Sequence, residues 1–251
     1  SLFSLILKSL MTISKNEIKF IKSLSQKKFR EQYSLFVVEG EKLVQEALNS
    51  RFNVRNLYKI DDIGEDNMAK ISNLATPSPA LAVVEMPEPT SIEEISEIID
   101  QHPLALGLDA VRDPGNLGTI LRIADWFGVD VIFASKDCVD IYNPKALQAT
   151  MGAIFRKRVI YSDLGEICDK FRGAGLQVYG TFLDGQIIHN QTLTKDGLII
   201  MGNEANGISK EIERKVTSKL FIPSYTKDGS TSESLNVAIA TAITCYEFRR
   251  Q

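Results

Sequence analysis

The sequence predicts an α/β fold organised as two domains, and three features of the 251-residue chain indicate it. Short apolar runs typical of strands alternate with segments of helical periodicity, first in the N-terminal third and again in the rest of the chain. A stretch rich in Pro and Glu, residues 85–89, separates the two series. Because strands that alternate with helices favour parallel or mixed sheets, we expect such a sheet in each domain. The expected divisions are a domain at 11–86, a linker and lead-in helix at 87–103, and a domain at 104–251.

The first domain opens with residues 13–32, whose periodicity predicts one basic helix. Between residues 15 and 30 the segment carries six Lys or Arg side chains and a single acid, Glu17. Such a segment is typical of a module that binds a polyanion, and a solvated helix face has the same composition. The elements expected after it are strands at 34–39, 54–60 and 81–84 and helices at 41–49 and 65–74.

The second domain is organised around residues 109–127. The apolar run 104–108 predicts a strand, residues 113–116 form a polar turn, and a helix with an apolar face follows. Gly118 and Arg122 share a different face of that helix, which favours either a ligand site with Arg122 on an anion or an ordinary surface arginine. The other expected elements are helices at 91–101, 144–149, 164–172, 210–216 and 235–249 and strands at 129–134, 157–161, 177–182, 197–202 and 220–223.

The closing helix, residues 235–249, carries no charged side chain before Glu247. A helix that is apolar on most sides must be covered on most sides. The cover is either the rest of the domain or a second copy of the chain, and the sequence does not choose between them.

The charge of the chain is unevenly distributed. A net charge of −3 and a pI near 5.6 argue against a protein that binds nucleic acid through overall charge, but they allow a local basic face. Residues 85–100 carry six acids and no base, in contrast to the basic N-terminal segment. A polyanion-binding module followed by a linker has this pattern, and so does a pair of solvated helix faces.

The three cysteines and two histidines predict neither a disulfide framework nor a metal site. Cys138, Cys168 and Cys245 are odd in number and widely spaced, without a Cys-x-x-Cys pair. This usage fits a reducing compartment, and we expect a cytoplasmic protein. His102 and His189 are isolated in the sequence, so no bound metal is expected.

Residues 1–10 are apolar but far shorter than a membrane span, so no membrane association is expected. No small-residue cleavage site follows them, which argues against a signal peptide. Met11 is a candidate for the natural start of the protein, and no functional role is expected of residues 1–10.

The loop after the strand at 197–202 is a candidate ligand site. Gly202 and Gly207 are separated by four residues, as in a phosphate-binding loop, but Ile208 stands where such a loop needs its lysine. The dinucleotide pattern, the hydrolase elbow and paired zinc histidines are also absent. A glycine-hinged loop with one carboxylate, Glu204, remains at a strand end, where open α/β sheets bind ligands. A third polar cluster, residues 232–238, is either part of that site or a helix start with an N-cap serine.

These three clusters resemble the three ordered motifs of the SpoU (TrmH-type) RNA ribose 2'-O-methyltransferases, a family of the SPOUT superfamily. The resemblance covers residues 104–249 and also includes the intermediate segment Thr150 to Phe155, while residues 13–86 resemble the small ribosomal-protein-like RNA-binding module found in many members. The loop 224–233 is longer than usual, and Ala238 stands where a serine is common, which affects the fine geometry of the third motif. The three motifs are Asn116-x-Gly118-x-x-x-Arg122, Met201-Gly202-Asn203-Glu204-x-x-Gly207 and Ile222-Pro223 with Ser234-Leu235-Asn236-Val237.

The resemblance implies a trefoil knot in the C-terminal domain, S-adenosylmethionine bound in the knot without a metal, and a homodimer formed through that domain. True knots are very rare, and no periodicity or spacing predicts one. Backbone groups at strand ends are expected to hold the methyl donor, which explains why small or apolar residues suffice there. By resemblance the cofactor-binding residues are Thr181, Gly202, Gly207, Ile222 and Leu235.

The resemblance also marks Arg122 as catalytic. Either it acts as the base, or it holds the phosphate of the target and stabilises the developing oxyanion. We favour the second role because a guanidinium is effectively always protonated. The other residues expected in the catalytic pocket are Asn116, Glu204, Ser234 and Asn236, in part from a second subunit.

The implied substrate is RNA, and the two-domain layout favours rRNA over tRNA. Lys27, Lys28 and Arg30 are the expected RNA-binding residues of the first domain, where the basic helix would contact the RNA backbone. Two alternatives remain open: a non-catalytic RNA-binding protein that keeps a methyltransferase scaffold, and a methyltransferase that modifies tRNA ribose. A third possibility is the same fold acting on a base nitrogen.

Overall fold

The computed structural model of the protein describes residues 13–227, 229 and 232–250. Residues 1–10 and Met11 therefore lie outside the described residues. The described part of the chain forms two compact units. The first holds the described residues up to Glu88 together with Tyr142–Phe155, and the second holds Pro89–Ile141 and the described residues from Arg156 onwards. No helix in the described ranges is long and apolar enough to cross a membrane.

Helices and strands alternate along most of the described chain, as the sequence predicts. The helices are α1 (Lys15–Ser23), α2 (Lys27–Tyr33), α3 (Glu41–Leu48), α4 (Ile60–Ile63), α5 (Glu65–Ile71), α6 (Ile92–Asp100), α7 (Pro114–Trp126), α8 (Pro144–Thr150), α9 (Leu164–Gly173), α10 (Lys210–Glu213) and α11 (Val237–Arg250). The strands are β1 (Leu35–Glu39), β2 (Val54–Lys59), β3 (Ala80–Glu85), β4 (Leu104–Leu108), β5 (Val131–Ser135), β6 (Val159–Ser162), β7 (Val178–Ile187), β8 (Gly197–Met201) and β9 (Ser218–Phe221).

The first unit has a three-stranded sheet in the order β1-β3-β2. β3 pairs antiparallel with both neighbours. The predicted parallel or mixed sheet is therefore wrong for this domain. β1 and β2 do run in the same direction, as strands joined by helix α3 should, but β3 lies between them and runs the opposite way. Alternation along the sequence does not reveal such an insertion, because strand order is decided by long-range pairing.

The predicted single helix at 13–32 is two helices, α1 and α2. Gln26 has an extended backbone (φ −99°, ψ 132°), which starts the second helix after a short break. The guanidinium of Arg30 donates to the carbonyl oxygens of Leu24 (3.1 Å) and Ser25 (2.8 Å). These carbonyls follow the end of α1, where helical partners are lacking, so Arg30 stabilises the break between the helices.

The first unit also includes α8 and the 3-10 turn Ala153–Phe155, which the sequence assigns to the predicted second domain. The side-chain amide of Gln148 donates to the backbone oxygen of Glu39 at 2.9 Å. The rings of Phe52 and Phe155 pack edge to face, with centroids 5.2 Å apart. This segment, residues 142–155, thus packs against the sheet and helices of the N-terminal part of the chain.

The second unit is built on a six-stranded sheet in the order β6-β5-β4-β8-β7-β9. Every pair of neighbours in it is parallel. The predicted α/β fold with a parallel C-terminal sheet is confirmed. Helix α9 packs against the sheet together with α6 and α10, and Phe133, Phe171 and Ile200 belong to the core between them. The carboxyl ends of β4, β7, β8 and β9 therefore meet at one edge, where the sequence motifs follow the strands.

Helix α11 packs against α7 with one face only. Val237, Cys245 and Phe248 are among its buried residues. The opposite face carries Ile239 and Tyr246, which are 53% and 56% exposed. The prediction that this helix is covered on most sides does not hold within the single chain. The face that carries Ile239 and Tyr246 is exposed to solvent.

Candidate active site

A cavity of about 550 Å³ lies at the carboxyl ends of the strands of the second unit. All five residues predicted to hold the cofactor line it: Thr181, Gly202, Gly207, Ile222 and Leu235. The predicted residues Glu204 and Ser234 also line it. Sequence reasoning missed four other lining residues, which come from the middle of β7 and from the ends of α10 and β9, and share no spacing pattern: Phe182, Leu183, Glu213 and Phe221.

The loop that follows β8 lines one side of this cavity. The backbones of Asn203 and Gly207 form two hydrogen bonds, N to O at 2.9 Å and 3.0 Å, which close the loop into a tight turn. A side chain on Gly202 would place its Cβ 2.3 Å from the carbonyl carbon of Gly207. Gly207 itself has φ +67°, in the left-handed region that favours glycine. Both glycines are therefore required by the backbone path of the loop.

The carboxylate of Glu204 joins this loop to the start of α7. It accepts hydrogen bonds from the backbone amides of Arg112 (3.2 Å) and Asp113 (3.0 Å). Burial acts to raise the pKa of Glu204, but these backbone amides, its own amide and the side chain of Asn116 outweigh burial and lower the pKa below its usual value. Glu204 is therefore an ionised acceptor at neutral pH.

Asn116 and Asn236 connect the three sequence motifs. The side-chain amide of Asn116 donates to Glu204 at 3.4 Å, and the amide of Asn236 donates to Asn116 Oδ1 at 3.0 Å. Asn236 Oδ1 also accepts from the backbone amides of Ala238 and Ile239 at the start of α11. One residue from each motif thus lies in a continuous hydrogen-bonded chain, although the motifs are separated by about 90 and 30 residues in sequence.

Ser234 and Arg122 are less constrained than these residues. The hydroxyl of Ser234 lies at the cavity and has no hydrogen-bond partner within the described ranges. Arg122 is exposed on α7 and does not line the cavity. Its guanidinium forms no hydrogen bond or ion pair with any described residue. The single chain therefore does not bring Arg122 together with Glu204 and its partners.

The three predicted RNA-binding residues of the first unit differ in their surroundings. Lys27 and Lys28 are exposed on α2, where Lys27 forms an ion pair with Glu31 at 3.6 Å and Lys28 lies over the ring of Phe29. Arg30 is only 2% exposed and binds carbonyl oxygens at the end of α1. The prediction that Arg30 contacts RNA is therefore wrong for this conformation, because burial removes its guanidinium from the surface. The basic pattern of the sequence did not distinguish a buried capping arginine from exposed lysines.

Among the described residues, no group of three or more His, Cys, Asp or Glu side chains could hold a metal ion. The residues that line the cavity carry carboxylates, one ammonium, side-chain amides and hydroxyls; the charged ones are Asp184, Glu204, Lys210, Glu213 and Glu233. Such a set suits an organic ligand with hydrogen-bonding edges.

Comparison with known proteins gives the family that the three sequence motifs predict, and the matches cover most of the chain. A family described as the SpoU rRNA Methylase family matches residues 103–246, and one described as an MRM3-like substrate binding domain matches residues 15–85. The chain is 31% identical to the Bacillus subtilis (strain 168) 23S rRNA (guanosine(2553)-2'-O)-methyltransferase RlmP, over 97% of this chain and 100% of that protein.

Two solved structures are similar to this chain over 95% of its length. One is a putative RNA methyltransferase of the TrmH family from Porphyromonas gingivalis, 37% identical, with a TM-score of 0.82 over 95% of this chain and 99% of that one. The other is an AdoMet-bound rRNA methyltransferase from Sinorhizobium meliloti, 29% identical, with a TM-score of 0.84 over 95% of this chain and 96% of that one. The family predicted from the three motifs is confirmed, and the chain belongs to the SpoU rRNA methylase family.

Proposed function

We propose that this protein transfers a methyl group from S-adenosylmethionine to a ribose 2'-hydroxyl of ribosomal RNA. The observation that carries the proposal is that residues of the second and third family motifs line one cavity of about 550 Å³, while Asn116 of the first motif is hydrogen-bonded to both Glu204 and Asn236. The names of the relatives, a 23S rRNA 2'-O-methyltransferase and an AdoMet-bound rRNA methyltransferase, support the substrate and the methyl donor.

The cavity residues fit S-adenosylmethionine, which supplies an electrophilic methyl group on a sulfonium when bound. Gly202 and Gly207 bring backbone close to the cavity, and Ile222 and Leu235 add apolar surface. Backbone amides and carbonyls at strand ends can hydrogen-bond an adenine edge, while apolar side chains cover its faces. Thr181 and Ser234 add hydroxyls that can donate or accept.

We assign Arg122 the role of anion holder and not of base. A guanidinium stays protonated, so it cannot remove the proton of the 2'-hydroxyl, but it can hold a phosphate and offset the charge of the developing alkoxide. Glu204, with its lowered pKa, is a weak base and acts through Asn116, whose position it fixes. Asn236 fixes Asn116 from the other side. These residues orient the acceptor, and orientation is a large part of catalysis for an in-line transfer.

We further propose a homodimer formed by the open faces of α7 and α11. Ile239, Ile243 and Tyr246 are exposed on α11, and Trp126 at the end of α7 is 84% exposed. Contiguous exposed apolar side chains mark interaction surfaces. Such a dimer also offers a physical reason for the free guanidinium of Arg122, since Arg122 of the partner subunit would complete the pocket.

Replacement of Ile239 with Asp tests this dimer. We expect a shift from dimer to monomer, because an ionised side chain in an apolar contact loses its hydration, and a large fall in methylation. Sedimentation analysis and a methyl-transfer assay measure both. Ile92→Asp is the matched control, since Ile92 is 68% exposed on α6, outside the proposed contact. A dimer that persists in Ile239→Asp contradicts the assigned interface.

A trefoil knot in the second unit is part of the same proposal. β9 lies at the edge of the sheet beside β7, yet α11 packs on α7, which follows the central strand β4. Described residues on either side of the connection between β9 and α11, Ile222 and Ser234, line the same cavity as the loop that follows β8. This arrangement supports the threading expected of the family.

RNA binding by the first unit is tested on the two exposed lysines alone. In Lys27→Gln/Lys28→Gln we expect weaker rRNA binding. The slope of the logarithm of the binding constant against the logarithm of the salt concentration should become less steep by about one to two units, because two phosphate contacts are lost. The affinity for S-adenosylmethionine should not change. Lys195→Gln/Arg172→Gln, two exposed cations of the second unit, is the matched control. Equal effects of the two pairs would count against a role for α2.

The proposed reaction is tested by incubating the protein with methyl-labelled S-adenosylmethionine and either rRNA or tRNA, followed by digestion to nucleosides. We expect label in a 2'-O-methyl nucleoside from rRNA. Label from tRNA would favour the alternative substrate, and label on a base would overturn ribose specificity. Binding of the methyl donor without transfer to any RNA would favour a non-catalytic RNA-binding protein.

The three free, buried cysteines support a reducing compartment, and we propose a cytoplasmic location.

A further inference from the structure

Two segments that take no part in the proposed chemistry meet in the first unit. One is β1 with the start of α3, and the other is α8 with the 3-10 turn after it. They are joined by the hydrogen bond from Gln148 to the backbone oxygen of Glu39. The side chain of Glu46 packs against Gly152, where an added Cβ would lie 3.0 Å from its carboxyl carbon. Between the two segments lies a second cavity of about 310 Å³.

Glu39 lines the cavity, and two hydrogen bonds hold its side chain in place. Glu39 is 5% exposed, and its carboxylate accepts from the hydroxyl of Ser72 at 2.5 Å and from the backbone amide of Asn73 at 2.6 Å. A carboxylate offers about four lone-pair sites, so two hydrogen bonds leave it with further acceptor capacity. No described cation forms an ion pair with it.

Two polar groups at the same cavity are available to a ligand. Asn73 and Lys145 are among the residues that line the cavity, and neither the amide of Asn73 nor the ammonium of Lys145 has a hydrogen-bond partner in the described part of the chain. Lys145 is exposed, so it lies at the solvent side. Leu74, Pro144 and Leu147 provide apolar surface. The cavity thus combines apolar walls, a buried acceptor, an amide and one cation.

This combination matches a nucleotide whose base presents two adjacent donors. Among the four RNA bases, guanine alone has neighbouring N–H groups, N1–H and the 2-amino group, on its pairing edge, and a carboxylate can accept from both. Unstacked RNA bases are recognised in this way, by apolar contact with their faces and hydrogen bonds to their edges. A volume of about 310 Å³ is at the small end of ligand pockets, roughly 300–1,000 Å³.

We propose that this cavity binds a guanine nucleotide of the RNA substrate, with Glu39 accepting from the base, Asn73 contacting its edge and Lys145 holding the phosphate. The inference rests on the proposed function, because it takes the ligand to be RNA. The cavity shares no lining residue with the larger one. It therefore gives the first unit a means of selecting a base, beyond the attraction of lysines for phosphate.

The test is binding of guanosine 5'-monophosphate to the full chain by calorimetry or ligand-detected NMR, with S-adenosylhomocysteine at saturation to occupy the larger cavity. Inosine and adenosine 5'-monophosphates are the matched probes, since inosine lacks only the 2-amino donor. We expect roughly tenfold weaker binding of inosine than of guanosine monophosphate, the effect of one hydrogen bond to a charged group. Equal affinities for the three nucleotides, or no binding of guanosine monophosphate, would overturn the proposal.

Two variants locate the binding. Asn73→Ala and Lys145→Gln should each weaken guanosine monophosphate severalfold, because their side chains line the cavity and support no described hydrogen bond. Lys195→Gln should have no effect. Lys145→Gln should also leave the affinity for guanosine without its phosphate nearly unchanged. Binding that neither Asn73→Ala nor Lys145→Gln weakens would lie elsewhere on the protein and would overturn the assignment.

Methylation kinetics separate this inference from the proposed function. If the wild-type chain methylates rRNA, Lys145→Gln should raise the KM for rRNA and leave the Kd for S-adenosylmethionine unchanged. An unchanged KM together with non-selective nucleotide binding rejects the cavity while the methyltransferase stands. Selective binding of guanosine monophosphate by a protein that transfers no methyl rejects the proposed function while the cavity stands.

Discussion

Replacement of Gly202 with alanine is expected to weaken binding of S-adenosylmethionine by roughly 5- to 150-fold, as a loss of about 1–3 kcal/mol through overpacking implies. The added Cβ would lie 2.3 Å from the carbonyl carbon of Gly207 and 2.4 Å from the backbone nitrogen of Ile208. Both neighbours are backbone atoms of the loop that lines the cavity, so the loop must move. Calorimetric titration with the methyl donor and a thermal unfolding curve measure the effect.

Two further glycines separate this local clash from a general loss of stability. Gly173→Ala, in the last turn of α9, adds a Cβ with no atom within 4 Å and should bind the donor as the wild type does. Gly207→Ala also meets open space but is strained at φ +67°, so we expect an intermediate loss. If Gly202→Ala bound the donor like Gly173→Ala, the path of the loop after β8 would not matter for the cofactor.

Replacement of Arg122 with lysine is expected to lower the rate of methyl transfer by roughly 10²- to 10³-fold, the range seen when one oxyanion-stabilising group is lost. Lysine keeps the positive charge but lacks the planar fork that holds phosphate through two hydrogen bonds. The Kd for S-adenosylmethionine should be unchanged, because Arg122 does not line the cavity. Single-turnover transfer to rRNA and donor titration give the two quantities.

Arg172→Lys is the matched control for this prediction, since Arg172 is an exposed arginine on α9 paired with Asp169 at 3.9 Å. An undiminished rate in Arg122→Lys would show that two-point anion holding is the wrong role. A mixture of Arg122→Lys with Gly202→Ala chains, at a donor concentration too low to fill the altered cavity of Gly202→Ala, adds a second readout. Activity recovered only in mixed dimers would mean that Arg122 of the partner subunit serves the pocket.

Much of the second unit could be predicted from the sequence. The strand at Leu104–Leu108 and helix α7 follow from local signals, an apolar run, turn formers and a one-turn apolar repeat. The loop at Gly202 is also local, because two glycines after a buried strand indicate a tight backbone path. Periodicity and turn chemistry depend on residues that are close together in the chain, so the sequence alone reveals them.

The first unit was harder to predict, because its arrangement depends on contacts between residues that are far apart in the sequence. Its strands and most of its helices were expected, but the insertion of β3 between β1 and β2 depends on pairing across many residues. The burial of Arg30 depends on carbonyl oxygens left open by a break that the helical periodicity did not reveal. The packing of residues 142–155 in this unit likewise had no signal in the sequence.

The sequence by itself determined the family, the α/β class and the residues that stand at each strand end. Only the tertiary structure decided that Glu204, Asn116 and Asn236 form one hydrogen-bonded chain, that Arg122 stands apart from it within one subunit, and that Glu39 faces a second cavity. The physical reason is the distance in sequence between the residues that interact. Local backbone preferences act between near neighbours, whereas hydrogen bonds and burial join residues that only the folded chain brings together.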